Sequence, residues 1–244
     1  MWNVVKIDFG LGFIKSTVYK VYSVCVMATI NASKCFNVYK TTLEMLEDRK
    51  YKVDEKHKKM EFEIFKELYE MDSIDINLDN KVYISFYNKT LGTSQLDKLV
   101  TGLLEKTEND DLHVIVVLLT ESKPSHTVEK LLHTKDYRNV ELFHYNKLIF
   151  NITRHDVIGA DIKVLEDDEL SNVLTGYDNL SAEQRADLEA KELGERNDRL
   201  KRHFPHIPVN DAVCRYFNAQ KGQVLEVKGR SLASAVVTTY RLVV

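Results

Sequence analysis

Apolar positions recur at three- to five-residue intervals through Phe36, Tyr39, Leu43, Leu46 and Tyr51, the spacing of a helix that turns one face to a core. A charged stretch follows, and Phe62, Phe65, Leu68 and Tyr69 then mark a second amphipathic helix. The period changes next. Lys81 to Tyr87 alternates and is β-rich, and Ser94 to Lys106 returns to helical spacing. His113 to Leu119 is an unbroken β-branched run of the kind buried on both faces. Ser125 to Leu132 predicts a helix and Val140 to Tyr145 a strand. Strand, helix, strand, helix, strand over about 65 residues predicts an α/β layer with at least partly parallel pairing.

The second half is more broken. Val164 and Leu165 precede a helix-like segment from Asp167 to Leu174. Ser181 with Gln184 three residues on is a capping-box signature. The pairs Asp187/Lys191, Glu192/Arg196 and Glu195/Arg199 are favourably oriented i,i+4 ion pairs, so a helix is predicted over about 181–202. Its apolar stripe of Ala186, Leu193 and Leu200 is thin, which fits a solvated surface helix or, alternatively, a docking helix for a partner. Asn210 or Asp211 can cap a short helix carrying Val213, Tyr216 and Phe217, and Asn218 tolerates the left-handed backbone that would end it. Gly222 opens an alternating strand through Val224, Leu225 and Val227, and Val236 to Val243 makes another. A helix laid on a small antiparallel sheet is the expected product.

Composition narrows the function classes. The 244 residues are 44% hydrophobic and 29% charged, enough for one good core or two small ones. A formal net charge of -3 excludes a surface built throughout to neutralise phosphates, so any DNA contact is local. Three cysteines, Cys25, Cys35 and Cys214, without C-x-x-C spacing, suggest neither a disulfide framework nor a zinc site. His203 and His206 with Cys214 fall short of four ligands, and no metal or cofactor is expected. Trp2 to Val26 is apolar but interrupted by Lys6, Asp8, Lys15 and Lys20, short of the roughly 18 apolar residues a membrane span needs. Met27-Ala28-Thr29 looks like a natural start, which makes residues 1–27 an extension. Ile7-Asp8-Phe9-Gly10 has no companion phosphate loop among only nine glycines and reads as a strand and turn.

The last forty residues carry the sharpest signal. Pro205-His206-Ile207-Pro208, the run Asp211-Ala212-Val213-Cys214-Arg215-Tyr216, the turn Lys221-Gly222-Gln223-Val224 and the closing Thr239-Tyr240-Arg241-Leu242-Val243 stand in one ungapped order. This resembles the C-terminal domain of the fifth, shared subunit of eukaryotic RNA polymerases and of its archaeal counterpart. Leu148 to Val157 is similar to the segment that joins the two domains of that family. The resemblance implies an α/β N-terminal jaw domain of restriction-endonuclease-like topology at 28–150 and a small α+β assembly domain at 151–244. It further implies a non-catalytic subunit that anchors to the largest polymerase subunit, touches other subunits and meets downstream duplex DNA through few contacts. A nuclear setting follows, or a virion or cytoplasmic virus factory if a large DNA virus encodes it. No membrane and no small-molecule substrate are implied.

By that resemblance the anchoring surface comprises Asp211, Arg215, Tyr216, Gly222, Gln223, Tyr240 and Arg241. Lys123, Pro124 and Ser125 stand where the jaw loop approaches DNA, and Lys130, Lys135 and Arg138 add phosphate contacts that position without reading sequence. Departures are also present. Ala212 replaces the family proline, the stretch between Tyr177 and Pro205 is longer than the family connector, and the loop 229–235 diverges. One enzymatic alternative remains: Asp111 with Glu121-Ser122-Lys123 reproduces the D…E-x-K arrangement of Mg²⁺-dependent nucleases, two carboxylates for the metal and a lysine for the attacking water.

Overall fold

The computed structural model describes residues 30–71, 74–107, 109, 111–154, 161–175, 201–229 and 237–244. The extension 1–27, the predicted helix up to Leu200 and the divergent loop beyond Gly229 lie outside the described residues.

Helix α1 (Ala32–Asp48) opens the described chain, with Asn31 accepting from the Ser33 backbone N–H at 3.0 Å to cap it. The charged stretch forms one short helix, α2 (Glu55–Lys58), which periodicity did not predict, and α3 (Phe62–Glu70) follows. A four-stranded sheet then runs in the order β1 (Ile76–Leu78), β2 (Val82–Tyr87), β3 (His113–Leu118), β4 (Val140–His144). Helices α4 (Thr93–Thr107) and α5 (His126–Leu132) are the crossovers, so β2, β3 and β4 pair parallel as predicted. Strand β1 is antiparallel to β2 and was not predicted. Asp79 and Asn80 between them both take positive φ, the left-handed turn that suits strand twist.

The side chains of β3 divide strictly by parity. Ile115 and Val117 pack with Val38, Tyr39 and Phe65 of the α1/α3 layer. Val114, Val116 and Leu118 pack with Leu96, Val100 and Val128 of α4 and α5. The unbroken apolar run of β3 is thus the middle of an α/β/α sandwich, where both faces of a strand need apolar side chains.

A second sheet has the order β5 (Asp161–Val164), β7 (Val224–Gly229), β8 (Val237–Val243), β6 (His206–Ile207). Helix α6 (Asp167–Thr175) follows β5, and α7 (Ala212–Phe217) stands between β6 and β7. The sheet is antiparallel except at its edge, where β6 pairs parallel to β8. That corrects the all-antiparallel expectation: the two-residue β6 runs beside the chain end, and Val244 donates to the Ile207 carbonyl at 3.0 Å. Asp211 caps α7 by accepting from Val213 at 2.9 Å. Asn218 ends it at φ 52°, the left-handed conformation expected of it. Tyr216, Phe217 and Ile162 join the apolar cluster of α1, so one core runs continuously between the two sheets.

Candidate functional site

The seven residues predicted for an anchoring surface separate into two groups. Tyr216 is a core residue, 3% exposed, and its hydroxyl donates to Asp48 at 2.7 Å. Burial, and then the Asp48 carboxylate, push that hydroxyl's pKa well above the tyrosine range. Arg215 donates to the Leu142 carbonyl and lies over the Phe143 ring at 4.9 Å, so its guanidinium is engaged by β4. Asp211 is the helix cap. All three make contacts within the fold, but only Tyr216 is buried: Asp211 is half-buried and Arg215 is exposed.

Of the remaining four, Gly222 and Gln223 form the corner where β7 begins, while Tyr240 and Arg241 are successive residues of β8 and so face opposite sides of the sheet. Gly222 donates to the Val243 carbonyl at 2.9 Å, and Val243 donates to the Gln223 carbonyl at 2.9 Å. Gly222 has φ 88°, a conformation in which any Cβ is strained. Gln223 closes the turn by accepting from the Gln220 N–H at 2.7 Å. Gly222, Gln223 and Arg241 are exposed, and Tyr240 is half-buried against Phe204 with ring centroids 5.6 Å apart. Burial first, then the charge of Glu226, raises the Tyr240 pKa. A groove of about 460 Å³ borders this corner, lined by Gly222 and Gln223 with Lys50, Tyr51, Glu166 and Phe217. It offers hydrogen-bonding edges and a shallow apolar floor rather than a reaction centre.

The predicted DNA-facing residues also separate. Lys123 and Ser125 are exposed and Pro124 is half-buried, in the loop leaving the carboxyl end of β3. Ser125 caps α5 by accepting from the Val128 N–H, and Lys130 is exposed on that helix. Lys135 and Arg138 lie beyond α5, at the amino end of β4, with Arg138 exposed. Parallel strands with a returning helix thus put Lys123 and Arg138 at opposite ends of the sheet, so the set is not one continuous patch.

The nuclease arrangement does not assemble. Asp111 precedes β3 and Glu121 follows it, so the six-residue strand holds them roughly 17 Å or more apart at ~3.3 Å per residue. Two carboxylates that far apart cannot share a metal ion. Among the described residues no group of three His, Cys, Asp or Glu side chains could hold one. The Cys214 thiol is buried, and burial pushes its pKa up to about 11, so it is held as the neutral thiol.

Sequence reasoning missed a charged cluster between the sheets. The Arg49 side chain, 4% exposed, donates to both Glu141 oxygens at 2.7 and 2.9 Å, and His113 Nε2 lies 2.7 Å from the same carboxylate. Burial alone would raise the Glu141 pKa; the His113 hydrogen bond and the Arg49 charge overcome it and hold the carboxyl at about 2. The one signal in the sequence was a carboxylate inside the strand-like run Val140 to Tyr145.

Against this geometry, comparison with known proteins is direct. Residues 30–134 match the family model RNA polymerase Rpb5, N-terminal domain, and residues 181–243 match RNA polymerase Rpb5, C-terminal domain. Among curated relatives, DNA-directed RNA polymerases IV and V subunit 5B of Arabidopsis thaliana is 23% identical, over 88% of this chain and 92% of its own length. DNA-directed RNA polymerase V subunit 5C of the same plant is 26% identical over 87% and 85%. DNA-directed RNA polymerases I, II, and III subunit rpabc1 of Dictyostelium discoideum is 23% identical over 87% and 98%. Both domain models occur in order, on two mixed α/β units without a catalytic constellation among the described residues. The chain therefore belongs to the Rpb5 family, as a non-catalytic subunit of a DNA-directed RNA polymerase that works in transcription alongside other polymerase subunits.

Proposed function

We propose that residues 151–244 form an assembly domain that anchors to the largest polymerase subunit, and that residues 28–150 form a jaw domain of restriction-endonuclease-like topology directed at downstream duplex DNA. The anchoring surface centres on Gly222, Gln223, Tyr240 and Arg241, with Asp211, Arg215 and Tyr216 holding α7 beside it. One observation carries the reading: within this motif Arg215, Gln223 and Arg241 are exposed while Tyr216 is buried. Protein interfaces favour such mixed aromatic and arginine surfaces. On the jaw, Lys123, Pro124 and Ser125 face DNA with Lys130 beside them, while Arg138, in the segment that also holds Lys135, meets phosphates only on a duplex that passes the other end of the sheet. Such contacts position rather than read sequence and weaken with salt. The nucleus is the compartment, in keeping with the eukaryotic relatives; those relatives lend nothing to a viral setting.

The test is affinity purification of the tagged chain from its native source in moderate salt, with mass spectrometry of what remains bound. Recovery of the two large polymerase subunits in comparable amount is the expected result, reduced several-fold by Tyr240→Ala with Arg241→Glu. A chain that purifies free of them refutes the anchoring role.

A further inference from the structure

The Arg49 guanidinium joins β4 of the first sheet to helix α7. Arg49 stands immediately after α1, and its Nη1 and Nη2 hold the Glu141 carboxylate of β4. Its Nε donates to the Tyr216 carbonyl at 2.7 Å, and Nη2 also donates to the Arg215 carbonyl at 2.9 Å. Those carbonyls belong to the last turn of α7, the negative end of its dipole, where the Arg215 carbonyl also accepts the Asn218 N–H at 3.2 Å. Arg49 therefore caps a helix of the C-terminal domain while forming a bidentate ion pair with a strand of the N-terminal domain. Arg215 repeats the bridge in the opposite direction, from α7 to the Leu142 carbonyl of β4. Further polar contacts of the seam come from the same end of α1. Tyr216 donates to Asp48 at 2.7 Å, Asn151 donates to Glu44 at 2.8 Å, and Arg154 lies 3.2 Å from Glu44.

We infer that Arg49 fixes the angle between the two domains in the free chain, so that the jaw direction is set before any partner binds. The geometry requires a planar fork with donors on three nitrogens; a lysine ammonium is a point charge that cannot reach a carboxylate and two helix carbonyls together. Apolar packing of Ile162, Tyr216 and Phe217 against α1 holds the domains close, but apolar contact is non-directional, whereas the fork admits one orientation. This inference does not depend on which surface meets the polymerase.

Backbone residual dipolar couplings on the isolated full chain test it. In the wild type, couplings from β2 to β4 and from β5, β7 and β8 should fit one alignment tensor. In Arg49→Met and in Arg49→Lys each sheet should still fit a tensor of its own, with the common fit lost. The lysine variant keeps a positive charge near Glu141, so it carries the test if the methionine variant fails to fold. A wild type that needs two tensors overturns the inference. So does retention of one tensor in a folded variant, which would assign the angle to the other polar bonds and the apolar packing of the seam.

Discussion

The two sheets bury themselves in opposite ways. Five of the six residues of β3 are fully buried, with a helical layer on each face, and the side chains of that sheet are consumed by folding. On β8 only Val243 is fully buried, and Val237 is 40% exposed. The C-terminal sheet instead mixes charge with its apolar contacts: Lys163 meets Glu169 of α6 at 2.7 Å, and Lys228 meets the buried Glu226 at 2.9 Å. A sheet covered on both faces has little surface left to recognise anything, so the N-terminal unit can engage partners only through its loops and helices. Strand β8 keeps most of its residues exposed, so the C-terminal sheet retains more surface. The longest family motif lies in this less buried half, its residues divided between core, cap and exposed positions.

The seam between the sheets is the most sensitive place to disturb this contrast. Arg49→Met leaves Glu141 buried without its main counter-charge and should cost about 3–5 kcal/mol in urea unfolding. Adding Glu141→Leu should recover much of that loss. Within the N-terminal sheet, Ile115→Ala opens a cavity between β3 and α1 and should cost about 3 kcal/mol by the same measurement.

Acid should weaken the seam before the sheets. Glu141 is held at about 2 against an ordinary 4.5, so its contribution is complete above pH 4.5 and is lost as pH falls through that interval. The expected loss is on the order of 2–3 kcal/mol, and a Glu141→Gln variant should show a flatter stability profile there. Asp211→Ala removes the α7 cap and should cost about 1 kcal/mol. Thr238→Ala, on the exposed part of β8, should change stability by no more than about 0.5 kcal/mol, which would confirm how little that strand buries.

Much of the fold was legible because each element advertises its own period. The α1 stripe, the continuous run of β3, the Asp211 cap and the left-handed Asn218 are local facts, and each lies where the sequence pattern predicts it. The elements that escaped were short. β1 and β6, with three and two residues, exist because a neighbouring strand offers hydrogen bonds, and no period can be read from so few positions. The candidate surface was legible only as a motif. Its sequence could not distinguish Tyr216, which is buried, from Arg241, which is exposed.

By itself, the chain determined the order and kind of its main elements, the parallel pairing that crossover helices impose, and membership in a polymerase-subunit family through motifs at its C-terminus. Only tertiary structure decided which motif residues remain outside, that Asp111 and Glu121 stand at opposite ends of a strand, and that Arg49, Glu141 and α7 meet. Periodicity and capping act within a few residues of chain, whereas burial and ion pairing join positions such as Arg49 and Arg215, separated by 166 residues, which nothing in local spacing connects.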